Sequence, residues 1–422
     1  MSPERILPRV DAQALCAAGP TAIDSDTLRS AAAIVTDVRE RGDSALREYA
    51  ARFDGLAPGA PLLLDRSVLD RARDALARED RAVLERTAQR IATFARAQRA
   101  ALAEIEVAVQ GGVAGHRVVP VERAGCYAPG GRHPLPSSVL MTAVTARVAG
   151  VETVIVASPN PAPITLAAAA IADADAVLAC GGAQAVAALA HGTATVGRCD
   201  VVVGPGNRFV TAAKRIVAGD VGIDMLAGPS ELCVVADEHA DPVWIAADLC
   251  AQAEHDVDAR AVLVSIADRG LVDAVEAELH ARLATLPTAA VARAALARGA
   301  ATVVPDAEAA RWLCDRLAPE HLQVMTRAPA DFANGLRHHG ALFLGAHSAE
   351  VFGDYGIGPN HVLPTGGAAR QSGGLSVLDF LRVRTWLRID TPDAVAVTDA
   401  ARLAELEGLA GHAAAARCRA RR

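Results

Sequence analysis

An excess of basic charge is missing from this 422-residue chain. Its net charge of -7 and pI near 6.0 leave no electrostatic footprint for nucleic acid. The one basic cluster, Arg417, Arg419, Arg421 and Arg422, closes a predicted helix, where cations suit the negative end of the macrodipole. Long apolar runs are missing too. Met1 to Val10 holds no apolar core of signal-peptide length, and charges such as Arg147, Glu152, Asp173 and Asp175 interrupt the later runs. These features predict a cytoplasmic protein with no membrane partner. Eight cysteines (Cys16, Cys126, Cys180, Cys199, Cys233, Cys250, Cys314 and Cys418) contain no CxxC pair, which argues against a structural zinc knuckle or a disulfide framework. Cys126 sits beside a Gly-rich turn, but no partner His for a thiol nucleophile is evident. Aromatics are only 3% of the chain.

What is present is 52% hydrophobic residue, much of it alanine, with 22% charged, the composition of a helix-rich globular protein. The length predicts two major domains with appendages. Residues 26 to 108 read as helices, with Ser25 or Asp26 as N-cap, a break at Arg41-Gly42-Asp43 and a long amphipathic helix from Glu79 to Glu106. A strand follows at Val118 to Val121. Between 125 and 225 short apolar runs (154–156, 176–178, 201–203) alternate with helical stretches, the spacing of a parallel sheet flanked by helices. Three Gly-rich turns punctuate it: Gly125 to Gly131, Gly181-Gly182-Ala183-Gln184 and Gly204-Pro205-Gly206-Asn207. None is the GxGxxG fingerprint. The third joins a strand to a helix N-terminus, an arrangement suited to an anion such as a pyrophosphate.

The stretch from Ile223 to His255 organises the rest. A polar turn, Ile223 to Glu231, leads into an apolar strand at Leu232 to Val235, and a helix from Asp241 ends with Gln252 and His255, which share one face where a metal could sit. Read alone, that pair also suits a solvated helix end. The alternation then resumes (strands 261–265 and 302–304, helices 270–284 and 306–317). Glu320 and His321 follow at the head of a strand, where Pro319 supplies the irregular backbone needed for both to reach one substrate. The Gly- and Pro-rich loop Gly353 to His361 carries Asp354 and His361 on a shaped turn. In the helical tail, Glu407 and His412 lie five apart, about 140° round a regular helix, and Gly408 and Gly411 supply a break that would let them share a site.

Seven of these motifs, in order along nearly the whole chain, resemble the histidinol dehydrogenase family: Tyr127 to Gly131, Gly204 to Asn207, Ile223 to Glu231, Gln252 to His255, Pro319-Glu320-His321, Asp354 to Pro364 and Glu407 to His412. The resemblance implies an NAD- and zinc-dependent four-electron oxidation of L-histidinol to L-histidine through L-histidinal. One Zn2+ per subunit would be held by Gln252, His255, Asp354 and His412. Glu320 and His321 would be the acid/base residues. Ser230, His361 and Glu407 would join Gln252, His255, His321, Asp354 and His412 in holding the substrate, and Tyr127, Gln184 and Asn207 would contact NAD. It further implies an α/β intertwined homodimer of two Rossmann-like parallel-sheet domains with small helical appendages, whose C-terminal tail crosses into the partner's site. The expected division is an arm at 1–22, a large domain from 23–125 and 230–375, an NAD-binding domain at 126–229 and a tail domain at 376–422. Val201, His133 and His191 depart from the family pattern near the cofactor turns, which bears on NAD affinity rather than on the reaction. The chemistry fits: zinc takes no electrons but holds substrate nitrogens, while NAD accepts hydride. Two imidazoles, an amide and one carboxylate suit an exchangeable ion that manganese could replace. A sister zinc/NAD dehydrogenase of another small polar alcohol and a zinc hydrolase are the alternative readings.

Overall fold

The computed structural model describes residues 5–17, 23–130 and 134–420. Part of the expected N-terminal arm, His133, and Arg421 and Arg422 lie outside them. Fourteen strands are described: β1 (Leu63–Asp65), β2 (Ile105–Val109), β3 (Gly112–Pro120), β4 (Arg123–Tyr127), β5 (Thr153–Ala157), β6 (Ala176–Leu178), β7 (Val201–Val203), β8 (Gly222–Ile223), β9 (Glu231–Ala236), β10 (Arg260–Ile266), β11 (Ala300–Val304), β12 (His321–Met325), β13 (Ala341–Leu344) and β14 (Leu381–Ile389). Among the described residues, no helix is long and apolar enough to cross a membrane.

One sheet runs β1-β6-β5-β4-β7-β8, parallel except for β1, and a second runs β11-β10-β9-β12-β13, parallel throughout. In each, the chain adds two strands on one side of its first parallel strand and then crosses to the other side, the order of a doubly wound half. The fold is thus α/β, as expected. The order reverses between β4 and β7 in one sheet and between β9 and β12 in the other. Buried runs such as Val201–Val203 and Leu232–Ala236 suit parallel strands covered on both faces by helices.

The cores divide the chain differently from the expected domains. Ala31, Val35, Leu46 and Ala50 pack with Ala185, Val186 and Leu189, while Leu84, Ala88 and Ile91 pack with Leu140, Val144 and Val154. Residues 25–100 therefore cover the six-stranded sheet rather than joining 230–375, and Val362, Leu375 and Phe380 enter the same core. The first-sheet helices carry their apolar faces toward 126–229, a partner that local sequence does not reveal. The N-terminal segment packs on the second sheet: Ile6 and Leu7 bury against Leu232 and Val234, and Arg9 bridges Ala301.

Local expectations need three corrections. Asp24, not Ser25 or Asp26, caps the helix Ser25–Arg41 by accepting from the Thr27 amide. The long helix spans Arg78–Ala100, and Ile105–Val109 is β2, paired antiparallel with β3; with β1, two strands thus lie in the region read as helices. β14, also unanticipated, pairs with the whole of β3, from Leu381 opposite Pro120 to Ile389 opposite Gly112. Trp386 lies over Gly115, where a Cβ would meet its ring at 2.7 Å. Beyond this three-stranded sheet, the helices Ala394–Leu406 and Ala410–Cys418 pack on each other through Ala401, Ala404 and Ala413, and leave Leu403, Leu406 and Leu409 exposed.

Candidate active site

The helix Ala307–Leu317 stops because Ala318 adopts a left-handed conformation (φ 47°) ahead of Pro319. That turn delivers Glu320 and His321 to the amino end of β12, next to the amino end of β9. Both side chains engage the same neighbour. Glu320 Oε2 accepts hydrogen bonds from the Ser230 hydroxyl and the Glu231 amide, each at 2.7 Å, and His321 Nδ1 lies 2.9 Å from the Glu231 carbonyl oxygen. A carbonyl oxygen can only accept, so Nδ1 carries a proton and Nε2 is the atom that gains or loses one.

The carboxylates around His321 set its charge. Burial pulls its pKa down, but Glu320, Glu350 and Asp354 together outweigh that and raise it to about 10. Nδ1 is 3.6 Å from Glu320 Oε2 and 4.0 Å from Glu350 Oε1, and Nε2 is 3.6 Å from Asp354 Oδ1. Burial pushes Glu320 up to about 7.

The expected metal ligands fall into two groups. His255 Nε2 lies 3.7 Å from Asp354 Oδ2, and ligand atoms of His255, Glu350 and Asp354 lie within 4.8 Å of one another. Gln252, in the last turn of the helix Pro242–Ala253, is fully buried with neither amide atom hydrogen-bonded. An orphaned buried amide costs about 1–3 kcal/mol, and a cation ligated by its oxygen would relieve part of that cost. An imidazole, an amide oxygen and carboxylates suit a zinc-like ion. His412 stands apart: it and Glu407 are exposed on the tail hairpin, where Gly408 (φ 76°) supplies the expected break while Gly411 lies inside the second helix, Ala410–Cys418. Asp354 ends the short helix Glu350–Asp354 rather than sitting within the expected loop, and His361 Nδ1 lies 2.7 Å from its carbonyl oxygen, which orders the loop that follows. The same loop is tied to the helices that cover the six-stranded sheet by Arg90 Nε, which donates to Gly356 O at 2.8 Å, and by Asn360 Nδ2, which donates to Met141 O at 2.8 Å. A second acidic cluster, Asp237, Glu238 and His239, lies at the other end of β9, where Asp237 already accepts from the Arg327 amide.

Two residues of the cluster were missed. Glu350 is buried, its Oε2 has no partner, and burial pushes its pKa up to about 8. Asp248 accepts from Gln323 Nε2 at 2.9 Å. Helical spacing was the available signal: Glu350 precedes Asp354 by four residues, and Asp248 precedes Gln252 by four.

The three Gly-rich turns collect at the carboxyl ends of β4, β6 and β7. The Tyr127 hydroxyl accepts from the Gly182 amide at 3.1 Å, Gln184 Nε2 donates to Asp54 Oδ2 at 3.3 Å, and Asn207 caps the helix Arg208–Val217 by accepting from the Phe209 and Val210 amides. Tyr127 and Gln184 are both buried, so they brace the turns from inside. Val201 is buried in β7, and His191 ends the helix Gly182–His191 with its pKa lowered by burial. Cys126 is fully buried, and burial pushes its thiol to about 12, which removes it as a nucleophile.

The family model of histidinol dehydrogenase matches residues 19–420. A histidinol dehydrogenase of Cereibacter sphaeroides is 47% identical over 396 residues, covering 92% of this chain and 91% of its own. One from Pseudomonas savastanoi pv. phaseolicola is 45% identical over 394 residues, covering 92% and 88%. The crystal structure of histidinol dehydrogenase from Elizabethkingia anophelis superimposes with a TM-score of 0.91 at 29% identity, covering 99% of this chain and 98% of that one. The chain belongs to the histidinol dehydrogenase family.

Proposed function

We propose that this protein oxidises L-histidinol to L-histidine by way of L-histidinal, as a zinc-dependent, NAD-linked cytoplasmic enzyme that completes histidine biosynthesis. The observation that carries the reading is the convergence of a buried Glu320–His321 pair with Asp354 and His255 at the amino ends of β9 and β12, with the orphaned buried amide of Gln252 in the helix that leads to His255. When bound, zinc supplies a Lewis-acid anchor for the substrate's nitrogens and NAD supplies the hydride acceptor.

The residues divide the proton work. A cation held by Asp354 offsets one of the three charges that raise His321, which brings its Nε2 toward the range of a general base for the alcohol proton. Glu320, with a pKa near neutrality, is suited to taking a proton from the water that hydrates the aldehyde. Ser230 orients that carboxylate. His361 fits a role in ordering the Asp354 loop and meeting the substrate. Tyr127, Gln184 and Asn207 frame the cofactor turns.

The tail supports a homodimer. A hairpin that packs on itself and leaves Leu403, Leu406 and Leu409 exposed needs a further surface to cover them. A second copy of the chain would cover it and receive Glu407 and His412, the last expected ligand, in its own site. The deciding experiment is to supply L-histidinol and NAD to zinc-loaded protein and identify histidine and NADH as products. Turnover of other small alcohols but not L-histidinol would favour a sister dehydrogenase.

A further inference from the structure

Arginine supplies every basic side chain of this type but one. Of the 42 Lys and Arg residues, a single one is lysine, Lys214. It is also the one Lys or Arg buried among the described residues, and it forms an ion pair with the buried carboxylate of Asp224. The two grip the same residue. Asp224 Oδ2 accepts from the Gly204 amide at 2.7 Å, and Lys214 Nζ donates to the Gly204 carbonyl at 3.0 Å. Gly204, at φ 115°, is also pressed against β4, where a Cβ would meet the Tyr127 carbonyl oxygen at 2.1 Å. The pair therefore fixes the β7 turn where the sheet order reverses between β4 and β7.

Stability alone does not call for such a pair, because well-packed apolar residues often serve as well as a buried ion pair. Arginine's planar fork is a poor substitute, whereas a compact ammonium can meet a carboxylate and a carbonyl together. We propose that Lys214 and Asp224 are positioning residues for the dinucleotide: they hold the Gly204 peptide so that the turn and the N-terminus of the helix Arg208–Val217 offer a fixed edge to its pyrophosphate. This rests on the NAD reading above.

A single lysine makes a direct test available. Zinc-loaded protein grown with lysine labelled at Cε with carbon-13 gives one lysine signal. Saturating NAD should shift that signal, and saturating L-histidinol alone should not. A signal unmoved by NAD, while calorimetry records NAD binding, overturns the proposal; no binding to the unaltered protein would instead overturn the NAD reading. The paired change K214M with D224N removes both charges together. It should raise the Kd and KM for NAD by about tenfold or more, the scale of one lost hydrogen bond, with the KM for L-histidinol and the zinc content little changed. A folded variant with unaltered NAD affinity contradicts the proposal, and if the variant does not fold, the labelled-lysine measurement decides.

Discussion

The Ser230 hydroxyl donates to Glu320 Oε2 across 2.7 Å, joining the turn before β9 to the buried Glu320–His321 pair at the head of β12. That bond favours the ionised carboxylate. Burial favours the acid and prevails, leaving Glu320 at about 7.

Ser230→Ala removes one of the groups that lower this pKa, so the Glu320 pKa should rise further. The limb of the pH-rate profile on which Glu320 must be ionised should move to higher pH, and the rate of aldehyde oxidation at neutrality should fall by about tenfold. Rates measured across pH with supplied L-histidinal check this; an unmoved limb would separate Ser230 from Glu320 function.

Glu320→Gln keeps the size of the side chain and removes the base. Oxidation of supplied aldehyde should slow by about 10²–10⁴, while reduction of the aldehyde by NADH, which needs no water, should be much less affected. Equal losses in both directions would place Glu320 outside the hydration step.

Much of this arrangement is legible in the sequence, for a physical reason. Runs such as Val201–Val203 and Leu232–Val235 declare buried parallel strands by composition, and Pro319-Glu320-His321 marks an irregular strand head. What stays hidden depends on distant partners. Leu381–Ile389 is a strand because Gly112–Pro120 lies beside it, and residues 25–100 join the first core because their apolar faces meet helices of 126–229. Glu350 escapes notice because its importance lies in facing His321 across the fold.

Metal removal should abolish turnover and leave the helical circular dichroism largely intact, since the cores do not depend on the ligands. The pH dependence of the metal-free form has a definite sign. His321, raised from 6.5 to about 10, and Glu350, raised from 4.5 to about 8, hold protons in the folded state that the unfolded chain releases. Their stabilisation is complete only below about pH 4.5, the unfolded value of Glu350, and is lost as pH rises through the folded values, so the melting temperature after chelation should fall from about pH 4.5 toward about pH 10. Zinc bound at the proposed ligands would take the place of some of those protons, and its return should raise the melting temperature most at the alkaline end. Scanning calorimetry of both forms across pH tests this; a chelated form that gains stability with pH would contradict it.

Mixed dimers test the crossed tail. Combining His412→Ala with His255→Ala chains gives, in each mixed dimer, one site with both defects and one with neither, so part of the activity should return. Purified mixed dimers that remain inactive would place His412 in its own chain's site.

The central claim is a four-electron oxidation completed at one site, and the most direct measurement is the ratio of NADH formed to L-histidine formed from L-histidinol. The account predicts two NADH for each histidine, with little free aldehyde between the steps. One NADH per product with aldehyde accumulating would show an alcohol dehydrogenase instead and contradict the role assigned to Glu320.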